Sequence, residues 1–308
     1  NTKGAILMCG SNKEHTMGEE FILEQKPKPK PRIGLVDSDA IMYNIGWRLN
    51  AMGILSHIDF SQLVTPPDIV YQEVHSYIEG LTKDIEVDSL ELHFTASRKN
   101  KDLFEKFTSK ELQPQFRTQL GIAYKDNRPK TDAELPFAYH QILQILLERY
   151  TSFIHDQWEA DDAVCLLKRI NPEYILCACD KDVYKQSIGS AYHFDKRKTW
   201  STTTISDANI FPYIQAITGD PTDGYFGAKG IGVKGTTKFI NPNMTPLEMW
   251  SGVVKAHKSV GNNEDIALWN MRMSSMNQLD KQGNLVLWEP PTSNTDHVYT
   301  ESGIWTGL

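Results

Sequence analysis

The sequence lacks the long apolar runs that membrane proteins and secreted precursors carry. Apolar runs such as residues 5–9 contain five residues, whereas a membrane-spanning helix needs about 18 or more. The same run is too short for a secretory signal and no cleavage pattern follows it. We therefore expect a soluble cytoplasmic protein without a membrane partner. The cysteines form no C-x-x-C pair and are expected to be reduced core thiols: Cys9, Cys165, Cys177 and Cys179.

The composition is that of a globular protein with its charges separated along the chain. The 308 residues are 40% hydrophobic and 10% aromatic, and at about 150 residues per domain this length predicts about two domains. The net charge of −7 argues weakly against a polyanionic partner. Residues 98–130, however, contain nine basic and four acidic side chains. This basic segment and the acidic clusters at 159–162, 180–182 and 220–223 indicate two kinds of site.

Periodicity predicts an α/β fold with a mostly parallel sheet flanked by helices. Short apolar strands at 33–36, 90–94 and 174–179 alternate with helical patterns, which favours parallel strands. From residue 206 onward the pattern is chiefly helical, with helices that include 263–279 and one late strand at 285–288. The alternating lysines and prolines of residues 26–31 predict an extended spacer. The predicted divisions are a flexible N-terminal segment and linker, a sheet domain, a helical domain and a loose tail: 1–32, 33–205, 206–290 and 291–308.

Six carboxylates are expected to lie close together in the fold. Three follow predicted strands, at the edge where open α/β sheets build sites, and three lie in the first turn of a predicted helix, where the helix dipole favours negative charge: Asp37, Asp180 and Asp182, and Glu159, Asp161 and Asp162. Each alone is commonly a cap or a turn residue. Crowded carboxylates repel one another unless cations neutralise them, and oxygen ligands without His or Cys suit Mg²⁺ or Mn²⁺. The pattern predicts a divalent metal site.

Gly230-x-Gly232-x-x-Gly235 formally matches the dinucleotide-binding fingerprint. We reject that interpretation because the glycines follow an acidic loop and a helix instead of a strand. A glycine-rich turn between two helices exposes backbone groups that can approach a phosphate closely, and Lys229 and Lys234 stand nearby. The alternative is a flexible loop between helices.

Five blocks of the sequence resemble, in order, the 5′-nucleases: phage 5′-3′ exonucleases, flap endonucleases and the 5′-nuclease domain of bacterial DNA polymerase I. The resemblance runs from about residue 33 to residue 288. The variant Asp223-Gly224-Tyr225 is most similar to the small single-chain phage exonucleases. The blocks, followed by the turn at 227–235, are Val36–Asp39, Tyr124–Arg128, Glu159–Asp162, Cys179–Asp182 and Gly219–Gly224.

The resemblance implies a PIN-like sheet domain with a helical arch at about 98–132 and a helical DNA-binding domain with a helix-two-turn-helix motif. It implies two Mg²⁺ ions, for which Mn²⁺ can substitute, and K⁺ at the glycine turn. The first metal cluster would be Asp37, Glu159, Asp161 and Asp162, and the second would be Asp180, Asp182, Asp220 and Asp223. Lys125 and Arg128 would hold the scissile phosphate, with Asp180 and Asp182 also catalytic. Tyr124 would stack on a base, and Gly230, Gly232, Lys234 and Gly235 would contact duplex DNA.

The expected function is metal-dependent 5′-3′ exonuclease and flap endonuclease activity in phage DNA replication or recombination. The expected partner is DNA with a free 5′ end or a 5′ flap, and an RNA–DNA hybrid if primers are removed. The protein is expected to be a monomer in the cytoplasm of a bacterial host. Two alternatives stay open. A PIN-type ribonuclease would not need the glycine turn, and a non-catalytic DNA-binding scaffold would not need eight carboxylates.

The sequence departs from the family at Ala96. Members commonly have a metal-ligating Asp after the strand that here reads Leu92–Thr95. The departure predicts weak metal binding and a need for high Mg²⁺, which Ala96→Asp should correct unless a neighbouring carboxylate already fills the gap.

Overall fold

The sheet and the helices around it are defined in a computed structural model, which describes residues 30–51, 67–120, 124–125, 135–195, 198–301 and 303–306. Within these ranges the strands are β1 (Ile33–Asp37), β2 (Ser89–Thr95), β3 (Ser152–His155), β4 (Ile175–Cys177), β5 (Gly189–His193) and β6 (Thr199–Thr203). The helices are α1 (Asp39–Ala51), α2 (Pro67–Asp84), α3 (Lys101–Thr108), α4 (Phe116–Gln119), α5 (Tyr139–Arg149), α6 (Ala160–Ile170), α7 (Lys181–Gln186), α8 (Ile205–Thr218), α9 (Val233–Thr236), α10 (Pro246–Ser259) and α11 (Glu264–Ser274).

The described strands form one sheet in the order β3-β2-β1-β4-β5-β6. Every neighbouring pair is parallel except the antiparallel pair β5–β6. In the centre, Val36 lies opposite Leu92 on one side and Cys177 on the other. The predicted mostly parallel α/β sheet is therefore confirmed. Because β1, β2 and β4 run in the same direction, the residues that follow them meet at one edge of the sheet.

Alternating side chains of the central strand bury both faces of the sheet. Val36 packs with helices α1, α2 and α5 on one face, whereas Leu35 packs with residues of α6 and α7 on the other. Both side chains are fully buried, as expected where successive residues of a strand point to opposite faces. A separate apolar cluster, centred on residues such as Val253 and Trp288, joins α8, α10 and α11.

Several predicted element boundaries were wrong. The sequence pattern also predicts a helix over residues 133–150, of which 133–134 lie outside the described residues; in the structure α5 begins at Tyr139, after Ala138 at a φ of 57°. The structure adds β3, a short edge strand that includes the exposed Phe153. The helix predicted to reach residue 279 ends at Ser274. At 285–288 there is no strand, only a single bridge between Leu279 and Leu285.

The described part of the segment 291–308 packs against the rest of the protein, whereas the sequence predicts a loose tail. Tyr299 is 3% exposed, and its hydroxyl donates to the Gln186 carbonyl at 3.2 Å. Asn209 receives the Tyr299 backbone N–H at 2.6 Å. This aromatic anchor holds the segment against α7 and α8.

Residues 31–308 form one compact unit, and the predicted division near residue 205 stays a prediction. The N-terminal segment up to residue 29 lies outside the described residues. In the predicted arch, the structure describes α3 and α4, whereas residues 121–123 and 126–134 are not described. None of the described helices is long and apolar enough to cross a membrane.

Candidate active site

Carboxylates gather at the carboxyl edge of the central strands. Asp37 is the last residue of β1 and Asp39 is the first residue of α1. Asp180 follows β4 as the N-cap of α7, where its Oδ1 accepts the backbone N–H of Asp182 at 2.9 Å. Asp180 is exposed, whereas Asp182 is buried. The order of the strands brings these four aspartates to the same edge of the sheet.

The N-terminus of α6 faces the same edge. Glu159 is the N-cap, and its backbone N–H donates to Asp162 Oδ2 at 3.2 Å. The next amide, that of Ala160, donates to Thr95 Oγ1 at 2.9 Å. These bonds fix the first turn of α6 against the end of β2. The helix terminus also favours the negative charge of Asp161 and its neighbours.

Arg117 is a buried cation that the sequence reasoning missed. Its side chain is 1% exposed, and its guanidinium donates to both oxygens of Asp162 at 2.6 and 2.7 Å. It also donates to Glu159 Oε2 at 3.3 Å and to the Ser275 carbonyl at 3.1 Å. By sequence, Arg117 is one of the basic residues of the predicted arch. The apolar Phe116 beside it is the signal in the sequence that could have indicated burial.

Asp162 holds a buried cation of the chain. Both of its carboxylate oxygens accept the planar fork of Arg117, a bidentate pairing that is among the stronger ion-pair geometries. Asp162 is 1% exposed. In this arrangement Asp162 holds Arg117 and the start of α6, and its role as a metal ligand stays a prediction.

Tyr124 and Lys125, at the base of the basic segment, both contact the Glu159 carboxylate. Lys125 Nζ forms an ion pair with Glu159 Oε1, and the Tyr124 hydroxyl donates to Glu159 Oε2 at 2.5 Å. The Lys125 backbone has a φ of 55°, and its N–H donates to the Asp223 carbonyl at 2.9 Å. The Lys125 side chain remains 22% exposed. Arg128, its predicted partner, lies outside the described residues.

The prediction that Tyr124 stacks on a base is contradicted by its burial. Its side chain is 6% exposed and packs with Tyr225 and Met273. Burial raises the pKa of Tyr124 well above its usual value, so the hydroxyl stays a donor to Glu159. The ring thus supports the site from beneath and offers no open face to a base.

A second lysine, Lys181, forms ion pairs at the end of the site that contains Asp182 and Asp220. Lys181 Nζ contacts Asp220 Oδ2 at 2.5 Å and lies 3.3 Å from Asp182 Oδ1. The amide of the buried Gln215 donates to Asp182 Oδ2. Asp182 Oδ1 has no hydrogen-bond partner although it is buried. The sequence reasoning had not assigned Lys181 or Gln215 to the site.

Four carboxyls of the site have pKa values above their usual range. Burial, followed by the charges of Asp39 and Asp180, raises the pKa of Asp37 well above its usual value. Burial raises the pKa values of Asp39 and Asp182 to about 6. Burial and the neighbouring Glu159 raise the pKa of Asp161. These directions are typical of carboxylates that crowd together.

The pKa of Glu159 is shifted in the opposite direction. Burial alone would raise its pKa, but Lys125 and Arg117 together lower it to about 2. The chain's own cations thus form ion pairs with four carboxylates of the site: Glu159, Asp162, Asp182 and Asp220. In the described part of the chain, no three Asp, Glu, His or Cys side chains converge in a geometry that could hold a metal ion.

The loop after α8 contains two turns: a closely packed one at Gly219 and Gly227, and an unobstructed one at Gly230 and Gly232. Gly219 and Gly227 both have positive φ, and a Cβ on either would lie 2.4 Å from the backbone of the opposite strand of the loop. Only glycine fits there. By contrast, a Cβ at Gly230 or Gly232 would meet nothing within 4 Å. The open turn, with exposed Lys234, leaves its backbone accessible.

The fold is similar to that of bacteriophage T5 nucleases. No protein-family profile matches the chain, and no curated protein matches it. A pseudo-enzyme variant of the bacteriophage T5 flap endonuclease, in a product complex with DNA and metal ions, aligns over 80% of this chain and 89% of its own, with a TM-score of 0.54 and 17% identity. A lysine mutant of the T5 5′-exonuclease aligns over the same shares, with a TM-score of 0.51 and 16% identity. The T5 protein crystallised with metal ions aligns over these shares as well, at 0.51 and 18%. The chain has the 5′-nuclease fold.

Proposed function

We propose that this protein is a metal-dependent nuclease that hydrolyses phosphodiester bonds at 5′ ends and 5′ flaps of DNA. The observation that carries the proposal is the set of carboxyls with raised pKa values at the carboxyl edge of a parallel sheet, beside a lysine from the basic segment. Solved proteins with the same fold are named as a flap endonuclease and a 5′-exonuclease, and one is a complex with DNA and metal ions.

The donor set suits hard divalent cations. Asp37, Asp161, Asp180, Asp182 and Asp223 supply only oxygen ligands, which is the preference of Mg²⁺ and Mn²⁺. Asp182 Oδ1 is a buried acceptor without a hydrogen bond, and the Lys181 ammonium lies 3.3 Å from it. We propose that Asp37 and Asp161 would bind one ion and that Asp180 and Asp182 would bind another, two carboxylates each. When bound, the ions would supply Lewis-acid stabilisation of charge on the phosphoryl oxygens.

The chain's own residues orient the phosphate and stabilise its charge. Lys125 Nζ lies on Glu159 at the edge of the cleft, from which its ammonium can donate to a phosphoryl oxygen of the substrate. Because Glu159 also accepts Tyr124 and Arg117, it remains compensated when Lys125 turns toward the substrate. A fixed cation beside developing negative charge is an effective form of transition-state stabilisation.

The open glycine turn is the proposed contact with the duplex. The backbone of Gly230 and Gly232 is unobstructed, and exposed lysines flank it. Contacts of this kind bind the phosphate backbone without reading sequence. We further propose K⁺ at this turn, a role in removing 5′ ends and RNA primers during phage DNA replication, and function as a monomer.

Digestion of an end-labelled duplex with a 5′ flap, with Mg²⁺ and with a chelator, tests the proposal. We expect cleavage at the flap junction and short products from the 5′ end, only when Mg²⁺ is present. Cleavage confined to single-stranded RNA would favour a PIN-type ribonuclease. Tight DNA binding without cleavage at any Mg²⁺ or Mn²⁺ concentration would favour a non-catalytic scaffold.

A further inference from the structure

Phe226 has the most exposed large apolar side chain in the described part of the chain. It is 72% exposed, although Tyr225 before it and Gly227 after it are both buried. Single exposed apolar residues are common on protein surfaces, so exposure alone does not assign a role to the ring. Its role depends on the backbone that carries it, on its position relative to the cleft and on the charge around it.

The backbone at Phe226 is closely packed. The Gly227 N–H donates to the buried Asn270 side chain at 3.0 Å. The Phe226 carbonyl carbon lies so near Gly219 that a Cβ on that glycine would be 2.4 Å from it. These contacts anchor the loop to the end of α8 and to α11, while the ring itself stays in solvent. A ring on a fixed backbone loses little conformational freedom when it binds a partner, which favours a binding role.

Phe226 lies along the chain between the cleft and the open glycine turn. Before it, the Asp223 carbonyl accepts the Lys125 N–H at 2.9 Å. After it, the backbone at Gly230 and Gly232 is unobstructed. A flap strand that is single in the cleft and duplex at the turn must change from one form to the other between them. Unpaired bases near this junction expose flat faces, on which an aromatic ring can stack.

The segment that follows Phe226 has the charge that a nucleic acid requires. Residues 224–247 contain three lysines and no acidic residue. All three lysines are exposed: Lys229, Lys234 and Lys238. Proteins that bind single strands combine such cations, which follow the phosphate backbone, with aromatic rings on which bases stack. A wholly apolar partner would leave these lysines unmatched, so charge complementarity favours a nucleic acid.

We propose that the ring of Phe226 stacks on an unpaired nucleobase at the junction between single strand and duplex. This inference rests on the DNA-binding part of the proposed function and adds a residue that would recognise the junction. The sequence reasoning assigned base stacking to Tyr124, which is buried and packs against Tyr225. Phe226, the next residue of that loop, supplies the open aromatic face that Tyr124 does not offer.

DNA binding to a duplex with a 5′ flap, measured by anisotropy with a chelator so that no cleavage occurs, tests the proposal. Phe226→Leu keeps an apolar side chain but removes the aromatic face, and we expect the affinity to fall about fivefold or more. Phe226→Trp should retain the wild-type affinity, because an indole ring also stacks on a base. Trp200→Ala, a control at an exposed aromatic ring of β6, should leave the affinity unchanged.

Abasic substrates show whether the partner of the ring is a base. Each substrate carries one abasic site, at successive positions on either side of the junction. We expect the wild type to lose affinity at one or two neighbouring positions. There Phe226→Leu should bind as tightly as the wild type, because neither protein has a stacked pair left. A loss in Phe226→Leu that is the same at every position would overturn the proposal, as would wild-type affinity of this variant for the intact substrate.

Thermal unfolding separates a binding role from a structural one. Because most of the ring is in solvent, Phe226→Leu should unfold at the same temperature as the wild type. A clearly lower Tm would show that the ring contributes to the fold and would overturn the proposal.

The proposed function and the role of Phe226 can fail separately. If the wild type binds flap DNA with the expected abasic effect but does not cleave it with Mg²⁺ or Mn²⁺, nuclease activity is refuted and the stacking role stands. If the wild type cleaves the flap and Phe226→Leu binds it as tightly as the wild type, only the role of Phe226 is refuted. If the wild type binds no DNA, both are refuted.

Discussion

The buried pair of Arg117 and Asp162 makes a sharp prediction about stability. Arg117 and Asp162 are each 1% exposed, and the guanidinium also bonds to the Ser275 carbonyl. Replacing Arg117 with Met fills similar volume but leaves the Asp162 carboxylate without its partner. Removing one member of a buried ion pair typically costs about 3–5 kcal/mol. Against a total stability of about 5–15 kcal/mol, this loss is large.

Denaturant unfolding, monitored by tryptophan fluorescence in metal-free buffer, measures the loss. Lys101→Ala is the matched control from the same basic segment, because Lys101 pairs with Glu105 at 3.5 Å in an exposed position. An exposed helical pair of this spacing contributes about 0.3–0.5 kcal/mol. We therefore expect the two variants to differ in the free energy of unfolding by about 3 kcal/mol or more.

A double variant distinguishes loss of pairing from loss of packing. Arg117→Met with Asp162→Leu removes both charges, and apolar replacement of a buried pair is often neutral. Recovery should be incomplete by about 1 kcal/mol, because Asp162 also accepts the Glu159 N–H at the start of α6. If the free energy of unfolding of Arg117→Met lies within about 1 kcal/mol of the wild-type value, the buried ion pair does not stabilise the fold as expected.

Further predictions concern cleavage, DNA binding and pH. Asp180→Asn should abolish flap cleavage while DNA affinity, measured by anisotropy, stays equal or rises; full turnover would remove Asp180 from the metal site. Lys125→Ala should lower the turnover of DNA cleavage far more than the affinity for DNA. Lys110→Ala, an exposed control from the basic segment, should change only the salt dependence of DNA binding. Equal cleavage rates for the two variants would contradict the role of Lys125. A side chain at position 232 would meet no other atom of the protein within 4 Å of its Cβ. Gly232→Val should therefore weaken binding to duplex DNA but spare folding and the cleavage of short single strands. Equal losses on duplex and single-stranded substrates would argue against a duplex contact. Burial raises the pKa of Asp182 to about 6, so the metal-free protein should lose stability as pH rises from about 4 through about 6, where the unfolded carboxyl is already charged. Asp39 contributes to the same loss, so Asp182→Asn should make the loss smaller without abolishing it, and an unchanged pH profile of unfolding would count against the role of Asp182.

The central part of the fold could be predicted because its signals are local. Val36 ends an apolar run just before Asp37, and Cys179 ends another just before Asp180. Such runs with a carboxylate after them indicate buried parallel strands and their carboxyl ends. The edge strand β3 gave no such signal, because its four residues include an exposed Phe153 and no side chain in the sheet core.

The helix ends depended on contacts that are distant in sequence. Met276 donates its N–H to the Gln186 side chain at 3.0 Å, and the same side chain donates to the Ser274 carbonyl at 2.8 Å. Together these two bonds terminate α11 against α7. Residues 285–288, predicted as a strand, instead place Trp288 in the helical core. The Trp288 backbone N–H donates to the Gln278 side-chain oxygen at 2.9 Å. Periodicity alone does not contain this information.

Counting charge along the basic segment could not show which cations face solvent. Arg117 and Lys125 both belong to that segment, yet Arg117 lies wholly inside the protein and Lys125 rests on Glu159. Four of the eight predicted ligands, Glu159, Asp162, Asp182 and Asp220, form ion pairs with cations of the chain. The charge of Lys125 also opposes the rise that burial causes in the pKa values of Asp37 and Asp39. Two lysines therefore offset part of the negative charge at each end of the site, and this arrangement depends on contacts between residues that are distant in sequence.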